Sequence, residues 1–317
     1  MRVLILVNPQ AGNRKGAEWL TALKDLAGRL GPGGQWRVEP TSKAGLPEQI
    51  SQMAPGMDSL IIVGGDGTVS QVLQAAWAQG LSMPVGIVPL GTGNDMARSL
   101  GLYKGRSWHP EEILEYVGTS KTKLVDLWGL QGKVCFSNYA SIGLDAAVVR
   151  RFCRLRQWME ERPVLGRRGF YFSLYILVWI SRVGQRVPEG TVLAWEDERG
   201  GKHEKRIGGA RVLALTNSPY YAAGALMEPG AQLDDGLLEV TLFRHMRHYA
   251  ELMATRAKPL ARLGLQERWW RVKARRVEIG LGRQTPVQAD GEDLTGRLGS
   301  QLTLGVERKA QVRILVR

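Results

Sequence analysis

The chain has 317 residues, of which 44% are hydrophobic and 23% are charged, so it is long enough for two domains and apolar enough to bury their cores. This composition argues against intrinsic disorder, and two cysteines with four histidines provide neither a disulfide framework nor a zinc cluster. The net charge of +13 lies mostly beyond residue 125, where 31 Lys and Arg residues stand against 20 Asp and Glu residues. Such an excess favours a polyanionic partner, either nucleic acid or an anionic membrane surface.

The apolar run before Asn8 has only five residues, which is too short for a signal peptide. The longest apolar run, at 170–180, is about half of the roughly 20 residues that a membrane-spanning helix needs. We therefore predict a cytoplasmic protein without a transmembrane span, in which Cys135 and Cys153 are reduced thiols.

Residues 1–124 alternate between strand-like and helix-like patterns. The strand-like runs are RVLILV, QWRVEPT, SLIIVGG and PVGIVPLG, and a helical pattern follows each of them. One more helix is predicted in HPEEILEYVGTSKT, which carries acidic residues in its first turn. Alternation of this kind is typical of a parallel sheet covered by helices, so we predict a three-layer α/β domain.

The pattern changes near Leu124 to short strands separated by Gly and Asp turns. This spacing predicts an antiparallel β domain over residues 125–310, most simply a β-sandwich. Two basic and partly helical segments, at 145–183 and 245–264, interrupt it.

Three glycine-rich loops of the first domain each follow a strand and precede a helix. They are NPQAGNRKG (8–16), GGDGT (64–68) and PLGTGND (89–95). Ligands of open α/β sheets bind beyond the carboxyl ends of the strands, where glycine allows close approach of the backbone and helix N-termini attract phosphate. A tight turn without a ligand explains any one loop equally well, but three together favour phosphate binding.

Two common nucleotide-binding motifs are missing from the sequence. There is no P-loop lysine motif, and the third glycine of a dinucleotide fingerprint would fall on Ser70 or Met96. Asp66 and Asp95 lie beside the predicted polyphosphate, which is reasonable only if a cation lies between them, and Mg²⁺ suits such oxygen ligands. A helix N-cap is the alternative role for Asp95.

These motifs resemble those of the bacterial diacylglycerol-kinase-like lipid kinases, which share a catalytic domain with eukaryotic diacylglycerol, sphingosine and ceramide kinases. The resemblance rests on Asn8-Pro9 with Gly12, on 64–68, and on 89–95 with Arg98. It continues through TNSPYYAAGALMEPGAQLDDGLLEV (216–240) and ADGED (289–293), so it covers nearly the whole chain. It implies an α/β nucleotide-binding domain, a β-sandwich lipid-substrate domain, an active site in the interdomain cleft, and a last strand at 311–317 that returns to the first domain.

The resemblance also implies roles for individual residues. Glu292 corresponds to the family's proton acceptor and would act with Asp66 and Asp95. Asp235, with the backbone carbonyls of Gln232 and Leu237, would hold a structural magnesium. The implied ATP contacts are Asn8, Pro9, Gln10, Ala11, Gly12, Thr41, Gly65, Asp66, Gly67, Thr68, Val69, Ser70, Gln71 and Thr92.

Simpler explanations stay open for several of these residues. Asp-Gly is a common hairpin turn, so Glu292 and Asp235 are also explained as solvated turn residues. Ser70-Gln71 stands where relatives usually have Asn-Glu, which bears on nucleotide affinity or metal loading. AAGA at 222–225 stands where relatives often have three glycines, a difference that we expect to matter less.

The segment 150–168 holds seven arginines and two glutamates among Phe, Leu, Trp and Met. A basic amphipathic helix suits docking on an anionic bilayer, whereas the apolar segment 170–180 fits a helix packed on the sandwich better than one inserted in a membrane. His245 and His248 share one helical face without a third ligand, which indicates a surface or membrane-facing pair rather than a metal site.

We therefore predict an ATP- and Mg²⁺-dependent kinase that phosphorylates diacylglycerol or a similar lipid at the membrane surface, as a peripheral protein. Diacylglycerol, monoacylglycerol, sphingoid and isoprenoid alcohols are all open as acceptors, and a homodimer is open as well. The alternatives are a soluble-substrate kinase of the NAD-kinase type, or a catalytically weak regulatory or nucleic-acid-binding module in which RWWRVKARR (268–276) stacks bases. A nucleic-acid partner is the less favoured.

Overall fold

The computed structural model describes residues 1–12, 15–30, 35–42, 45–91, 93–103, 108–160, 168–256 and 269–317. The chain divides into two compact units. Unit 1 contains residues 1–127, 222–224 and 310–317, and unit 2 contains residues 128–221 and 225–309.

The helices and strands are numbered here in chain order. The helices are α1 (Lys15–Arg29), α2 (Leu46–Met53), α3 (Asp66–Ala78), α4 (Asp95–Ser99), α5 (Glu112–Thr119), α6 (Leu144–Glu160), α7 (Arg168–Arg182), α8 (Met246–Ala254) and α9 (Thr295–Leu298). The strands are β1 (Arg2–Val7), β2 (Gln35–Pro40), β3 (Ser59–Gly64), β4 (Val85–Pro89), β5 (Lys121–Leu130), β6 (Val134–Phe136), β7 (Tyr139–Gly143), β8 (Val192–Glu196), β9 (Lys202–Arg206), β10 (Val212–Thr216), β11 (Tyr220–Tyr221), β12 (Ala225–Leu226), β13 (Leu238–Phe243), β14 (Trp270–Ala274), β15 (Arg276–Gly280), β16 (Val287–Ala289), β17 (Glu292–Asp293) and β18 (Thr303–Val316).

Unit 1 is built on a parallel sheet in the order β2-β1-β3-β4, and Ile314 near the end of β18 pairs in parallel with Val85 of β4. Every residue of β3 is buried, as are five of the six residues of β1. Continuous runs of Val, Ile and Leu are typical of parallel strands that are covered on both faces. Each fully buried aliphatic side chain contributes about 1.5–3 kcal/mol to folding. The predicted parallel α/β domain is confirmed.

Tyr116 on α5 joins three elements of unit 1. Its hydroxyl donates to the carbonyl of Leu315 at 2.7 Å and accepts from the backbone N–H of Ile87 at 3.2 Å. Trp108 packs edge-on against its ring, with ring centroids 5.1 Å apart. The C-terminal strand is thereby fixed beside β4, as the predicted return of residues 311–317 requires.

Unit 2 contains two antiparallel sheets that share one core. One sheet has the order β14-β13-β10-β7-β16-β17, and the other combines the first part of β18 with β15, β8 and β9 and with the β5–β6 pair. The buried residues of both sheets form a single hydrophobic cluster, for example Leu213 and Val240 from the first sheet with Leu193 and Val277 from the second. Trp128 lies in this cluster and donates its indole N–H to Asn217 Oδ1 at 2.8 Å. The predicted antiparallel sandwich is confirmed.

Helices α6, α7 and α8 lie in the two segments that the sequence marks as basic and partly helical. Residues 161–167 and 257–264 of these segments lie outside the described residues. Arg268, the first residue of RWWRVKARR, lies outside them as well. Asp145, in the first turn of α6, is buried and accepts hydrogen bonds from Ser141 Oγ at 2.7 Å and from the Tyr221 hydroxyl at 2.6 Å. Over the described ranges, none of the helices is both long enough and apolar enough to cross a bilayer.

Candidate functional site

The three glycine-rich loops of unit 1 lie at one edge of the parallel sheet. Val7 at the end of β1 pairs with Pro40 and Val63, and Gly64 at the end of β3 pairs with Pro89. The carboxyl ends of these strands are therefore aligned, and the chain segments that follow them are neighbours.

Asn8 connects the first loop to the second. Its side-chain N–H donates to Thr68 Oγ1 at 2.8 Å, and its side-chain oxygen accepts from the backbone N–H of Gln10 at 3.0 Å. The backbone N–H of Asn8 donates to Val63 O at 2.9 Å. An amide side chain can donate and accept at once, which explains why an asparagine suits this position.

The second and third loops approach each other so closely that only glycine fits. A Cβ on Gly91 would lie 2.4 Å from the Cα of Gly65, and a Cβ on Gly65 would lie 3.0 Å from the Cα of Gly91. Gly12 has a φ of +60°, and a Cβ there would lie 2.8 Å from the carbonyl oxygen of Leu90. This close contact exposes backbone rather than side chains at the start of α3, where the first N–H groups of a helix have no partner within the helix.

Asp66 begins α3 and is fixed by the third loop. Its Oδ1 accepts a hydrogen bond from the backbone N–H of Met96 at 3.2 Å. A Cβ on Gly93 would lie 2.7 Å from Asp66 Oδ2, so glycine leaves space beside this oxygen that any other residue would fill. A cradle next to a carboxylate oxygen fits a metal-bound phosphate.

Asp95 is only 2% exposed and is the first residue of α4. The N-cap is its neighbour Asn94, which adopts a left-handed conformation with a φ of 55° and exchanges two hydrogen bonds with the backbone of Gly91. Asp95 Oδ2 instead accepts from the backbone N–H of Ala223 at 2.8 Å. The alternative role of Asp95 as an N-cap is therefore wrong, because Asn94 holds that position.

The segment Ala222–Gly224 belongs to unit 1, although the sequence places it within the second domain. All three residues have positive φ, of 45°, 67° and 96°. Arg98 lies beside this segment, with its Nε donating to Gly93 O at 3.2 Å and its guanidinium carbon 3.8 Å from the centre of the Tyr103 ring. Sequence analysis did not predict this insertion; the run of small residues was the only signal for it.

The remaining predicted ATP contacts differ in their exposure. Thr41 follows β2, and its backbone N–H donates to Val7 O at 2.8 Å, so it lies next to the first loop. Val69 and Ser70 are buried, and Ser70 Oγ accepts from the side chain of Gln74 at 3.1 Å, whereas Gln71 is exposed. Pro9 and Ala11 lie within the first loop, Gly67 is the second residue of α3, and Thr92 lies outside the described residues. These contacts stay predictions.

Glu292 lies in unit 2, in the hairpin formed by β16 and β17. Ala289 pairs with Glu292 across the turn residues Asp290 and Gly291, whose φ values are 47° and 83°. The dipeptide is therefore a hairpin turn, as the simpler explanation requires, and it leaves Glu292 half-buried on β17.

Asp290 anchors this turn. Its Oδ1 accepts from the backbone N–H groups of Asn138 and Tyr139, and its Oδ2 accepts from that of Ser137, at 2.9–3.0 Å. Sequence analysis missed this role, because the donors lie about 150 residues earlier in the chain.

Asp235 also lies in unit 2, beside a buried carboxylate. Asp235 Oδ1 accepts from the backbone N–H of Leu237 at 3.0 Å, and Lys273 Nζ lies 3.5 Å from Asp235 Oδ2 and 3.4 Å from Glu239 Oε1. Glu239 is 2% exposed, and within the described part of the chain neither of its carboxylate oxygens has a hydrogen-bond partner. Burial raises the pKa of Glu239 to about 8; the carboxylates of Asp235 and Glu228 add to the rise and Lys273 opposes it.

A cation beside these acids would oppose the effect of burial on the pKa of Glu239. Lys273 already pairs with Glu239 and Asp235, and carboxylate oxygens are the hard ligands that Mg²⁺ prefers. Gln232 is exposed and lies with Asp235 in the turn before β13. Across the described ranges, no group of three or more His, Cys, Asp or Glu side chains could hold a metal ion, and the predicted site needs only one carboxylate with two carbonyls.

Two family models match the chain. The diacylglycerol kinase catalytic domain matches residues 2–129, and the diacylglycerol kinase accessory domain matches residues 135–293. The chain belongs to the diacylglycerol kinase family. The observed parallel sheet with its glycine-rich loops lies in the catalytic match, and Asp235, Asp290 and Glu292 lie in the accessory match.

Individual relatives of this family agree with the assignment. A "Diacylglycerol kinase" of Mycobacterium tuberculosis (strain ATCC 25618 / H37Rv) is 31% identical over 194 residues, 60% of this chain and 56% of the relative, so the matched stretch spans about half the length of that protein. The "Probable lipid kinase YegS-like" of Enterobacter sp. (strain 638) is 25% identical, over 93% of this chain and 90% of the relative. The crystal structure of a diacylglycerol kinase from Bacillus anthracis str. Sterne has the same fold, with a TM-score of 0.64, 23% identity, and coverage of 100% of this chain and 97% of that one.

Proposed function

We propose that this member of the diacylglycerol kinase family is an ATP- and Mg²⁺-dependent lipid kinase. It transfers the γ-phosphate to the hydroxyl of diacylglycerol or a similar lipid and gives phosphatidic acid or a related lipid phosphate. The observation that carries the proposal is the position of Asp66 and Asp95. Each carboxylate is held by a backbone N–H of another segment, at 3.2 Å and 2.8 Å, beside loops that expose backbone rather than side chains.

In the proposed mechanism, the loops and the start of α3 bind the phosphates through backbone N–H groups. Asp66 and Asp95 would hold a magnesium ion, which supplies neutralisation of the charge that develops during transfer. Glu292 of unit 2 accepts the proton of the lipid hydroxyl as that oxygen attacks phosphorus. Asp235, with the carbonyls of Gln232 and Leu237, would hold a second, structural magnesium.

Peripheral binding to an anionic membrane is part of the same proposal. Leu177 and Ile180 on α7 are 64% and 56% exposed, while Val178 between them is buried, so this helix presents apolar side chains to solvent. Trp158 on α6 is 49% exposed. Exposed apolar side chains near a basic segment are typical of proteins that dock at a bilayer surface.

Transfer of labelled γ-phosphate from ATP into a panel of lipid alcohols tests the proposed reaction. We expect Glu292→Gln to lower kcat about 100-fold or more with little change in nucleotide affinity, because a general base typically contributes a factor of this order. Asp66→Asn should lower both kcat and the dependence of the rate on Mg²⁺. The matched controls Glu278→Gln and Asp25→Asn change exposed carboxylates elsewhere and should leave the rate unchanged.

Equal labelling by the wild type and both site variants would contradict the mechanism. Labelling of no lipid at all would contradict the lipid kinase proposal and favour a nucleotide-binding regulatory module.

A further inference from the structure

A cavity of unit 2 is lined by basic side chains that the proposed reaction does not use. It has a volume of about 390 Å³ and lies where β13 leads into α8. Arg244, His245, Arg247 and His248 line it, together with Glu251 and Trp270. We call this cavity the basic pocket.

The positive side chains of the basic pocket are close to one another. The imidazole rings of His245 and His248 have centroids 5.5 Å apart, and Lys205, which is not a lining residue, places its Nζ 5.0 Å from the centre of the Trp270 ring. Glu251, the acidic residue of the pocket, accepts a hydrogen bond at 3.2 Å from the indole N–H of Trp269. This hydrogen bond stabilises part of the negative charge of Glu251 without the neighbouring cations. The pocket therefore carries a net positive charge at neutral pH.

One ring nitrogen of His248 has no hydrogen-bond partner among the described residues. Its Nε2 accepts a hydrogen bond from Arg247 Nε at 3.3 Å, so in the neutral ring Nδ1 carries the proton. This Nδ1 atom is buried and has no hydrogen-bond partner among the described residues. Burial lowers the pKa of His248; Glu251 opposes this effect, while the positive charges of Arg247 and His245 add to it. An anion in the pocket would offset the positive charge of Arg247 beside this ring.

We propose that the basic pocket binds a phosphate monoester group, carried either by a lipid or by a soluble phosphate. Two guanidinium groups with the imidazole of His245 supply more donors than a carboxylate can accept, and they match the three terminal oxygens and double charge of a phosphate monoester. The pocket holds one such group with part of its substituent, whereas a nucleic-acid strand needs a groove. No residue of this site belongs to the proposed catalytic or metal sites, so the two proposals fail independently.

Histidine side-chain NMR of the full-length protein tests the site with inorganic phosphate as the probe. Phosphate added at constant ionic strength, with chloride as the reference anion, should shift the imidazole nitrogen signals of His245 and His248 and raise the pKa of His248. His109 and His203 lie outside the pocket and serve as internal controls.

The double variant Arg244→Gln/Arg247→Gln should bind phosphate about tenfold more weakly, because it loses charge-assisted hydrogen bonds. Both side chains are exposed, so the variant should fold normally. Arg199→Gln/Lys202→Gln removes the same charge from exposed positions of the β8–β9 hairpin in unit 2 and should leave the affinity unchanged. Absence of a phosphate-dependent shift, or an equal shift in the pocket variant, would overturn the proposal.

Vesicles distinguish the two sources of the phosphate. Phosphatidic acid carries a phosphate monoester and phosphatidylglycerol a diester, so vesicles of the two lipids are compared at equal surface charge. If the wild type prefers phosphatidic acid and the pocket variant loses this preference, the ligand is a lipid. If inorganic phosphate binds in the pocket but the two kinds of vesicle bind equally, the ligand is a soluble phosphate. Both results support the site.

Discussion

Asp290 is a single residue on which the position of the proposed base depends. Its carboxylate is 5% exposed and accepts hydrogen bonds from three consecutive backbone N–H groups, those of residues 137–139. Its own backbone N–H donates to Tyr139 O at 2.8 Å. Because Glu292 follows two residues later on a short strand, the orientation of Glu292 depends on this anchor.

We predict that Asp290→Asn lowers both stability and turnover. An amide has only one oxygen and directs an N–H₂ group at a backbone donor, so the free energy of unfolding should fall by about 2 kcal/mol. In lipid phosphorylation kcat should fall while the KM for ATP stays unchanged. Asp197→Asn is the control, since Asp197 also accepts from backbone N–H groups but lies in a solvated turn, and its change should affect stability much less. An unchanged kcat in the Asp290 variant would show that Glu292 does not depend on this anchor.

Ala222 and Ala223 adopt a conformation that disfavours side chains. The left-handed region costs an L-residue about 1–2 kcal/mol, and glycine avoids this cost. Ala223 nevertheless supplies the backbone N–H that holds Asp95. Alanine in place of glycine in this segment therefore adds backbone strain, although the two residues differ little in volume.

We predict that Ala223→Gly raises the free energy of unfolding by about 1 kcal/mol or slightly less, because relief of strain exceeds the added flexibility of the unfolded chain. The control Ala22→Gly, in the interior of α1, should lower it by about 1 kcal/mol. Chemical denaturation measures both values. Destabilisation of the same size in the two variants would show that Ala223 is not strained.

At the scale of secondary-structure elements, the contact between the loops after β3 and β4 decides the shape of the phosphate site. The two loops meet backbone to backbone at Gly65 and Gly91, and Leu90 N donates to Gly64 O at 2.9 Å. A side chain at either glycine would separate the loops and move Asp66 away from Met96.

We predict that Gly91→Ala lowers the free energy of unfolding by about 1–3 kcal/mol, the usual cost of overpacking, and weakens binding of ATP analogues. The new Cβ would lie 2.4 Å from the Cα of Gly65, and backbone cannot give way as a flexible side chain can. Gly28→Ala is the matched control, because nothing lies within 4 Å of a Cβ at Gly28 on α1 and alanine favours a helix. It should stabilise the protein slightly and leave binding unchanged, as measured by denaturation and nucleotide titration.

Helix α7 has one face that is packed against unit 2 and another face that is exposed to solvent. The sequence favours a helix packed on the sandwich, and the buried Val178 and the stacking of Trp179 on Tyr249, with centroids 6.5 Å apart, agree with packing of one face. Leu177, Ile180 and the adjacent Val183 are exposed. The apolar run is therefore long enough to cover both a core-facing side and an exposed side of one helix.

At the scale of the whole molecule, we expect the net charge of +13 and these exposed apolar side chains to contribute together to membrane binding. We predict binding to anionic vesicles that weakens as salt is added, because the screening length falls from about 10 Å at 0.1 M to about 3 Å at 1 M salt. Leu177→Ser/Ile180→Ser should weaken vesicle sedimentation, whereas Leu114→Ser/Leu302→Ser removes two other exposed apolar side chains elsewhere and should not. Equal binding to neutral vesicles, or a stronger shift of oligonucleotides than of vesicles, would contradict a membrane partner.

Much of each unit could be predicted from the sequence. Buried parallel strands are continuous runs of Val, Ile and Leu, and helices repeat their apolar residues at a period near 3.6. The local pattern therefore predicts β1, β3, α1 and α3. The glycine-rich loops were predicted for the same reason, since each directly follows a strand.

The structure alone determined which distant segments meet at the proposed sites. Asp95 and Ala223 are 128 residues apart, Asp290 and Ser137 are 153 apart, and Glu239 meets Lys273 only because β13 pairs with β14. No local periodicity encodes such contacts, because they follow from strand order and from the need of buried polar groups for partners. Local sequence patterns account for the elements, the glycine-rich loops and the charge, whereas the backbone N–H that holds each carboxylate follows from the tertiary structure.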